Sequence, residues 1–286
     1  MKMLMGGNVR LMLTGSAPIS GEVLDFLKIC FCCPLAEGYG MTETSAGSVL
    51  VRIGDPKCGY VGGPVCNVKI RIKDIPEMNY YSTSTPPKGE VCFKGPSIMK
   101  AYYKNEEKTA EMLSEDGWLF SGDVGEVQPS GAIKIVDRAK NIFKLSQGEY
   151  IAPEKLENEY IKSEYIAQIW IHGDSLHDYI MMFVNLDQDK MKMWAKQNGV
   201  DCNATLCNSD ALRKLIWNDV MKIAKENKFN SLEKPKQMML LFDPWTTESD
   251  ILTPTMKLKR NVAKTRYADD VTRMYEEGPL KFDAAK

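Results

Sequence analysis

The chain has 286 residues, 44% hydrophobic and 26% charged, with 37 basic and 38 acidic side chains. That is globular composition, long enough for two domains, and a net charge of −1 lacks the basic excess of a nucleic-acid binder. No apolar run approaches the ~20 residues of a membrane-spanning helix, and the opening MKMLMGGNVRLML is too short and too broken by glycine for a secretory signal, so the sequence predicts a cytoplasmic protein.

In chain order, VRLML (9–13) predicts a short buried strand and TGSAPIS (14–20) a Gly/Pro loop. Ser20 can cap a helix with Val23, Leu24, Leu27 and Cys30 on its apolar side. Cys30, Cys32 and Cys33 read as small apolar residues in a buried strand beside Pro34. A metal site would want paired cysteines or histidine partners, and the only histidines, His172 and His177, are far away in sequence. EGYGMTET (37–44) is too glycine-dense for a helix or strand interior. It suits either a close approach to an anionic ligand or a plain surface turn.

From about residue 60 the texture becomes β. VKIRIKD (68–74) and GEVCFKG (89–95) alternate, NEEKTAEML (105–113) predicts a capped helix, and VGEVQPSGAIKIVDR (124–138) two strands around Pro129-Ser130-Gly131. After Arg138 the pattern changes. Helices are expected over 152–163, near 188–198 and near 209–227, a strand pair over 165–173 and 178–187, a further strand over 236–243 and one last helix over 262–277. Mixed elements of this kind predict α/β and α+β architecture in two regions, joined through the charged DRAKN (137–141).

Five polar stretches carry potential chemistry. LTGSAP (13–18) is a strand followed by a Gly-Ser turn whose backbone N–H groups suit an anion or a purine edge. EGYGMTET is the second. WLFSGDVG (118–125) isolates Asp123 between glycines; one carboxylate can accept both hydroxyls of a vicinal diol, and the alternative is a β-turn. DRAKNIFKLSQGEYIAPEKLE (137–157) is a basic, glycine-interrupted lead into a helix, and LTPTMKLKR (252–260) a Pro-broken basic loop or a solvated basic face.

The order and wording of these stretches resemble the adenylate-forming superfamily of acyl-CoA synthetases and luciferase-like enzymes. KLSQGEYIAPEKLE and LTPTMKLKR are similar to its long-chain fatty acid–CoA ligase branch in particular. The resemblance covers essentially the whole chain. It implies the C-terminal part of the large AMP-binding domain over 1–137, with mixed sheets and a β-rich end, a hinge over 138–141, and a small mobile α+β domain over 142–286.

The resemblance also implies roles. Tyr39 would stack on adenine, Thr42 would bond the α-phosphate, and Glu43 would help hold Mg²⁺. Gly38 would let the backbone approach the nucleotide, while Gly15, Ser16 and Ala17 would line its pocket. Asp123 and Arg138 would hold the ribose, Lys140 would be the hinge and Lys257 the mobile catalytic lysine. Gly148, in the LSQGEY face, would serve thioester formation. The implied substrates are a fatty acid, ATP and CoA, with no nucleic-acid partner. The carboxylate attacks the α-phosphorus and pyrophosphate leaves; CoA thiolate then attacks the acyl-AMP and AMP leaves.

One expected part is missing from the pattern: the family's Ser/Thr/Gly-rich loop for the β- and γ-phosphates, which precedes LTGSAP. The expectation is therefore the C-terminal part of a ligase, incomplete as a catalyst by itself, with membrane or endoplasmic reticulum association only through the missing part. The alternatives are a non-catalytic nucleotide- or acyl-binding remnant and an adenylating enzyme for a non-fatty carboxylate. A hydrolase fits poorly, because no G-x-S-x-G elbow is present.

Overall fold

The computed structural model describes residues 1–282, and the chain divides into two compact units, Met1–Lys140 and Asn141–Lys286. The last four residues of the expected small domain, 283–286, lie outside the described residues.

In the first unit, β1 (Met12–Thr14) leads through α1 (Gly21–Phe31) to β2 (Leu35–Met41), which lies parallel to it. Then β3 (Ala46–Leu50) and β4 (Gly63–Pro64) add antiparallel, giving a sheet in the order β1-β2-β3-β4. A second sheet is an antiparallel meander of β5 (Lys69–Lys73), β6 (Lys88–Lys94), β7 (Leu119–Val127) and β8 (Ile133–Arg138), with α2 (Glu106–Met112) between β6 and β7. Val68, just before β5, and Val91 and Phe93 of β6 pack with Val49, Val61 and Ile133, while the alternation of β5 places Ile70 and Ile72 half-buried against them. The backbone of Ile133 bonds Val61 and Gly62 at 2.8 and 2.7 Å, fastening the meander to the first sheet's connection.

Four expectations for this unit need correction. The strand expected over 9–13 is not buried: β1 covers only Met12–Thr14, and Leu11 and Leu13 are exposed at the edge of the first sheet. β structure begins well before residue 60, because EGYGM is itself strand β2. Its glycines are a packing requirement: a Cβ on Gly40 would sit 1.7 Å from the Ala46 carbonyl oxygen, so only glycine lets β3 fold back this closely. The cysteine cluster is not a strand. Cys30 ends α1, Cys32 is its exposed left-handed C-cap (φ 51), and only Cys33 is buried. On α1, Leu24 is the buried residue while Val23 faces solvent, although Ser20 caps the helix as expected, accepting from the Val23 N–H at 3.2 Å.

The second unit begins with a hairpin of β9 (Phe143–Lys144) and β10 (Tyr150–Ile151), followed by α3 (Pro153–Tyr160) with proline in its first turn. Its central sheet has β11 (Ile166–His172) antiparallel to β12 (Met181–Leu186), and β13 (Gln237–Leu241) parallel to β12. Between β12 and β13 run α4 (Gln188–Asn198) and α5 (Asp210–Glu226); α6 (Arg260–Arg266) and α7 (Ala268–Glu277) follow. Both sheet faces are covered, which explains the unbroken apolar run MMFV in β12. One face sends Ile169, Ile171, Met182, Val184, Met238 and Leu240 into the larger core, with Leu156 of α3 and Ile216 and Val220 of α5. The other sends Trp170, Met181 and Phe183 onto Trp245, Ile251, Ala263 and Met274. Each fully buried side chain of this size contributes about 1.5–3 kcal/mol.

The single terminal helix expected over 262–277 is two helices. The chain breaks at Tyr267 (φ −103, ψ 20), whose ring packs 5.1 Å from Phe183 and whose hydroxyl accepts from Trp245 Nε1 at 2.8 Å. Anchoring that ring in the core fixes the turn between α6 and α7.

Candidate active site

In the first unit, sheet pairing assembles the polar motifs. β2 carries Tyr39, and β7 pairs with β8 so that Asp123 lies opposite Arg138. The Tyr39 hydroxyl donates to Asp123 Oδ2, and Arg138 Nε lies 3.6 Å from Asp123 Oδ1. Asp123 is buried, and its own N–H donates to Ser121 Oγ at 3.0 Å. It sits inside a nine-residue strand, not at a β-turn. The Tyr39 ring lies 5.9 Å from Phe93, and burial together with the Asp123 charge drives its hydroxyl pKa well above the usual range, so the phenol remains a donor.

Two residues earlier on β2, and so on the same face as Tyr39, stands Glu37. It is buried without a hydrogen-bond or ion-pair partner among the described residues, and burial pushes its carboxyl up to about 7. The sequence reading gave Glu37 no role.

Thr42 opens a one-turn 3-10 helix, Thr42–Thr44, and is exposed. The buried Thr44 hydroxyl ties this turn together, accepting from Met41 N at 3.1 Å and standing 2.9 Å from the Ala46 oxygen. Glu43 points to a neighbouring segment, where Tyr102 donates to its Oε1 at 2.5 Å. After β1, Gly15, Ser16 and Ala17 form the loop into α1. Ser16 holds the left-handed region at φ 69, and a Cβ on Gly15 would come within 2.9 Å of the Gly38 oxygen, so the LTGSAP and EGYG segments are packed backbone to backbone. Lys140 is exposed in the short 3-10 turn Ala139–Asn141.

In the second unit, Gly148 (φ 93) sits in the turn of the β9–β10 hairpin, its N–H donating to Leu145 O at 2.9 Å. That turn is held against 174–178 by Ser146 N to His177 O at 3.0 Å and Gln147 Nε2 to Asp178 O at 2.7 Å. Lys257 lies on an exposed loop closed by the Leu252–Leu258 bridge, with backbone bonds to Thr253 at 2.8 and 3.0 Å. The cations around it are not equivalent. Lys259 pairs with Asp250 at 2.5 Å, and Arg260 grips the Glu157 carboxylate with both guanidinium nitrogens. The Lys257 ammonium has no partner among the described residues.

Residues 2–103 match the AMP-binding enzyme family model. Over 276 residues the chain is 45% identical to long chain acyl-CoA synthetase 7, peroxisomal, of Arabidopsis thaliana. It is 42% identical over 273 residues to long-chain-fatty-acid–CoA ligase 6 of Rattus norvegicus. The chain carries a segment of the AMP-binding enzyme family, residues 2–103. Its fold matches the A domain of carboxylic acid reductase from Segniliparus rugosus, a structure in complex with AMP and a co-purified carboxylic acid, with a TM-score of 0.80, 33% identity, and 96% of this chain and 40% of that one covered. The two ligases are matched over 96% and 95% of this chain, which spans 39% of the length of each.

Mg²⁺ is the cation that the sequence resemblance implies, and the donors at Glu43 fit it. Tyr102 occupies one carboxylate oxygen; Oε2 has no bond among the described residues. No cluster of three or more His, Cys, Asp or Glu that could hold a metal is present among the described residues. Mg²⁺ keeps several waters and takes one or two carboxylates with substrate phosphates, so a lone carboxylate oxygen beside a nucleotide suits it, whereas a protein-caged Ca²⁺ would need more ligands. The sequence reading missed Tyr102 entirely, since nothing in AYYKN signals that its ring reaches Glu43, 59 residues away.

Proposed function

We propose that this chain is the AMP-handling and small-domain part of an AMP-forming long-chain fatty acid–CoA ligase, converting fatty acid, ATP and CoA to acyl-CoA, AMP and diphosphate through an acyl-AMP. The observation that carries this reading is the convergence of Tyr39, Asp123 and Arg138, drawn from three separate motifs, on one carboxylate. The 45% identity to a named long chain acyl-CoA synthetase over 96% of the chain supports the substrate class.

In this reading Tyr39 stacks on adenine while Gly15, Ser16, Ala17 and Gly38 border the nucleotide through their backbone. Asp123 accepts the ribose hydroxyls. A carboxylate offers about four lone-pair sites, so the ribose and Tyr39 can share it, with Arg138 holding the charge in place. The Thr42 hydroxyl bonds the α-phosphate. Glu43 would hold Mg²⁺, which when bound supplies positive charge to the phosphate oxygens. Lys257 stabilises the charge that develops as the fatty carboxylate attacks the α-phosphorus and pyrophosphate departs. CoA thiolate then attacks the acyl carbon and AMP leaves, with Gly148 serving this second half-reaction and Lys140 acting as the hinge between the two units. We place the activity in the cytoplasm, with association to the endoplasmic reticulum only in the complete ligase and through the part that this chain does not include. No described helix is long and apolar enough to cross a membrane, and the Arabidopsis relative is peroxisomal by name.

The test is carboxylate-dependent ATP–pyrophosphate exchange and acyl-CoA formation by the complete ligase that carries this chain, across long-chain, short-chain and aromatic acids, beside AMP binding. The reading expects turnover with long-chain acids and little with the others. Preference for a non-fatty carboxylate would overturn the substrate class, and failure to bind AMP would overturn the site.

A further inference from the structure

Glu43 is held by more than its own turn. The segment 97–102 reaches the Thr42–Ser45 region at three points: Ser45 Oγ donates to Ser97 O at 2.9 Å, Met99 N donates to Glu43 O at 2.8 Å, and Tyr102 Oη donates to Glu43 Oε1 at 2.5 Å. The first is made by the Ser45 side chain and the second by the Glu43 backbone. Only the third touches the carboxylate.

Tyr102 is itself anchored. Its N–H donates to Thr109 Oγ1 at 3.0 Å on α2, and the Lys108 ammonium lies 4.8 Å from its ring centroid. Its hydrogen bond to Glu43 therefore fixes the rotamer of that side chain and occupies one oxygen, leaving Oε2 for a metal's inner or outer coordination.

We infer that Tyr102 is a positioning residue for the Mg²⁺-nucleotide complex, acting through Glu43, with α2 as its support. This rests on the reading of Glu43 as the Mg²⁺-holding carboxylate. A free glutamate samples several rotamers, and fixing a long side chain in advance removes part of the entropy that ligand binding would otherwise cost. A phenol suits the task better than a second carboxylate or a cation. It neither competes for the metal nor neutralises the Glu43 charge that attracts it.

The test uses Tyr102→Phe, which keeps the ring and its packing and deletes only the hydroxyl, alongside Glu43→Gln and the double variant. Three quantities are read with the protein: affinity for Mg²⁺ in the presence of ATP, affinity for AMP without metal, and melting temperature. We expect Tyr102→Phe to weaken Mg²⁺ affinity roughly 3- to 10-fold, the range of one ordinary net hydrogen bond, because the hydroxyl acts only through Glu43, with AMP affinity unchanged. In the Glu43→Gln background, Tyr102→Phe should add nothing to the loss. A full Tyr102 effect in that background, or equal losses of AMP and Mg²⁺ affinity, would overturn the inference. If Glu43→Gln weakens Mg²⁺ binding and Tyr102→Phe does not, the positioning role alone falls. If Glu43→Gln leaves Mg²⁺ binding unchanged, the reading of Glu43 falls and takes the positioning role with it.

Discussion

The two units hold their candidate site residues in opposite ways. In the first, nearly every one is already engaged: Asp123 by Tyr39 and Arg138, Glu43 by Tyr102, the Gly15 and Gly38 backbones by each other. In the second, Lys257 is exposed with no side-chain partner among the described residues, and its neighbours Lys259 and Arg260 are both paired. A nucleotide pocket gains from groups held in place before the ligand arrives. A lysine that acts in only one half-reaction gains from a loop that keeps its ammonium uncommitted while fastening everything around it. The difference teaches that preorganisation in this chain lies in the carboxylates of the first unit and in the base of the lysine loop of the second.

The largest effect that would break this comparison concerns the base of that loop. Arg260, directly after it, is held by Glu157, whose Oε1 also accepts from Ile171 N at 2.7 Å. Removing this half-buried carboxylate leaves the Ile171 N–H and the Arg260 guanidinium short of an acceptor, with Glu154 4.0 Å from the guanidinium, together at about 2–4 kcal/mol. Glu157→Ala should therefore lower the stability of the second unit by that amount in urea unfolding. Trp170 and Trp245, both buried there, serve as fluorescence reporters. A loss under about 1 kcal/mol would show that the loop is not anchored through this pair.

Next in size is Asp123. Charge-assisted hydrogen bonds contribute about 1.5–3 kcal/mol each, so Asp123→Asn should weaken AMP binding by roughly 10- to 100-fold, read by calorimetry. Because Asp123 is buried and bonded to Tyr39, Asp123→Ala should also destabilise the fold, which the asparagine variant largely avoids. Normal AMP affinity in Asp123→Asn would remove the ribose assignment and leave the carboxylate a structural group.

A smaller effect is set by pH. Burial holds the Glu37 carboxyl at about 7 against an ordinary 4.5. Between those values the native state keeps a proton that the unfolded chain has released, so stability falls as pH rises from about 4.5 to about 7 and levels off above that. Glu37→Gln should flatten this part of the first unit's stability profile. An unchanged slope would mean that another group titrates there. The smallest effect belongs to Lys259. Its exposed pair with Asp250 is screened by water, and Lys259→Ala should change both half-reactions and stability little.

Much of this was legible in the sequence because it rests on local rules. Ser20 as a cap, the Pro129-Ser130-Gly131 turn, the alternation of β5 and β6 and the apolar β12 follow from periodicity and turn chemistry. The motifs that resemble the family could be found for the same reason: each is contiguous. What escaped depends on contacts distant in sequence. EGYGM looked too glycine-rich for a strand because the hairpin that requires Gly40 depends on Ala46 folding back over it. The break at Tyr267 depends on Trp245, and the anchor of Glu43 on Tyr102. The three cations of MKLKR looked interchangeable because their acidic partners, Asp250 and Glu157, lie 9 and 103 residues away.

The central claim is that Lys257 alone among those cations serves the first half-reaction, and splitting the reaction tests it most directly. Acyl-AMP formation from fatty acid and ATP is measured in one assay, and thioester formation from preformed acyl-AMP and CoA in another. A contact made only in the transition state contributes several kcal/mol, so Lys257→Ala, made in the complete ligase, should lower the first rate by about 100- to 1,000-fold and leave the second near that of the unmodified enzyme. Equal loss in both assays, or an equal first-half loss in Lys259→Ala, would contradict the account.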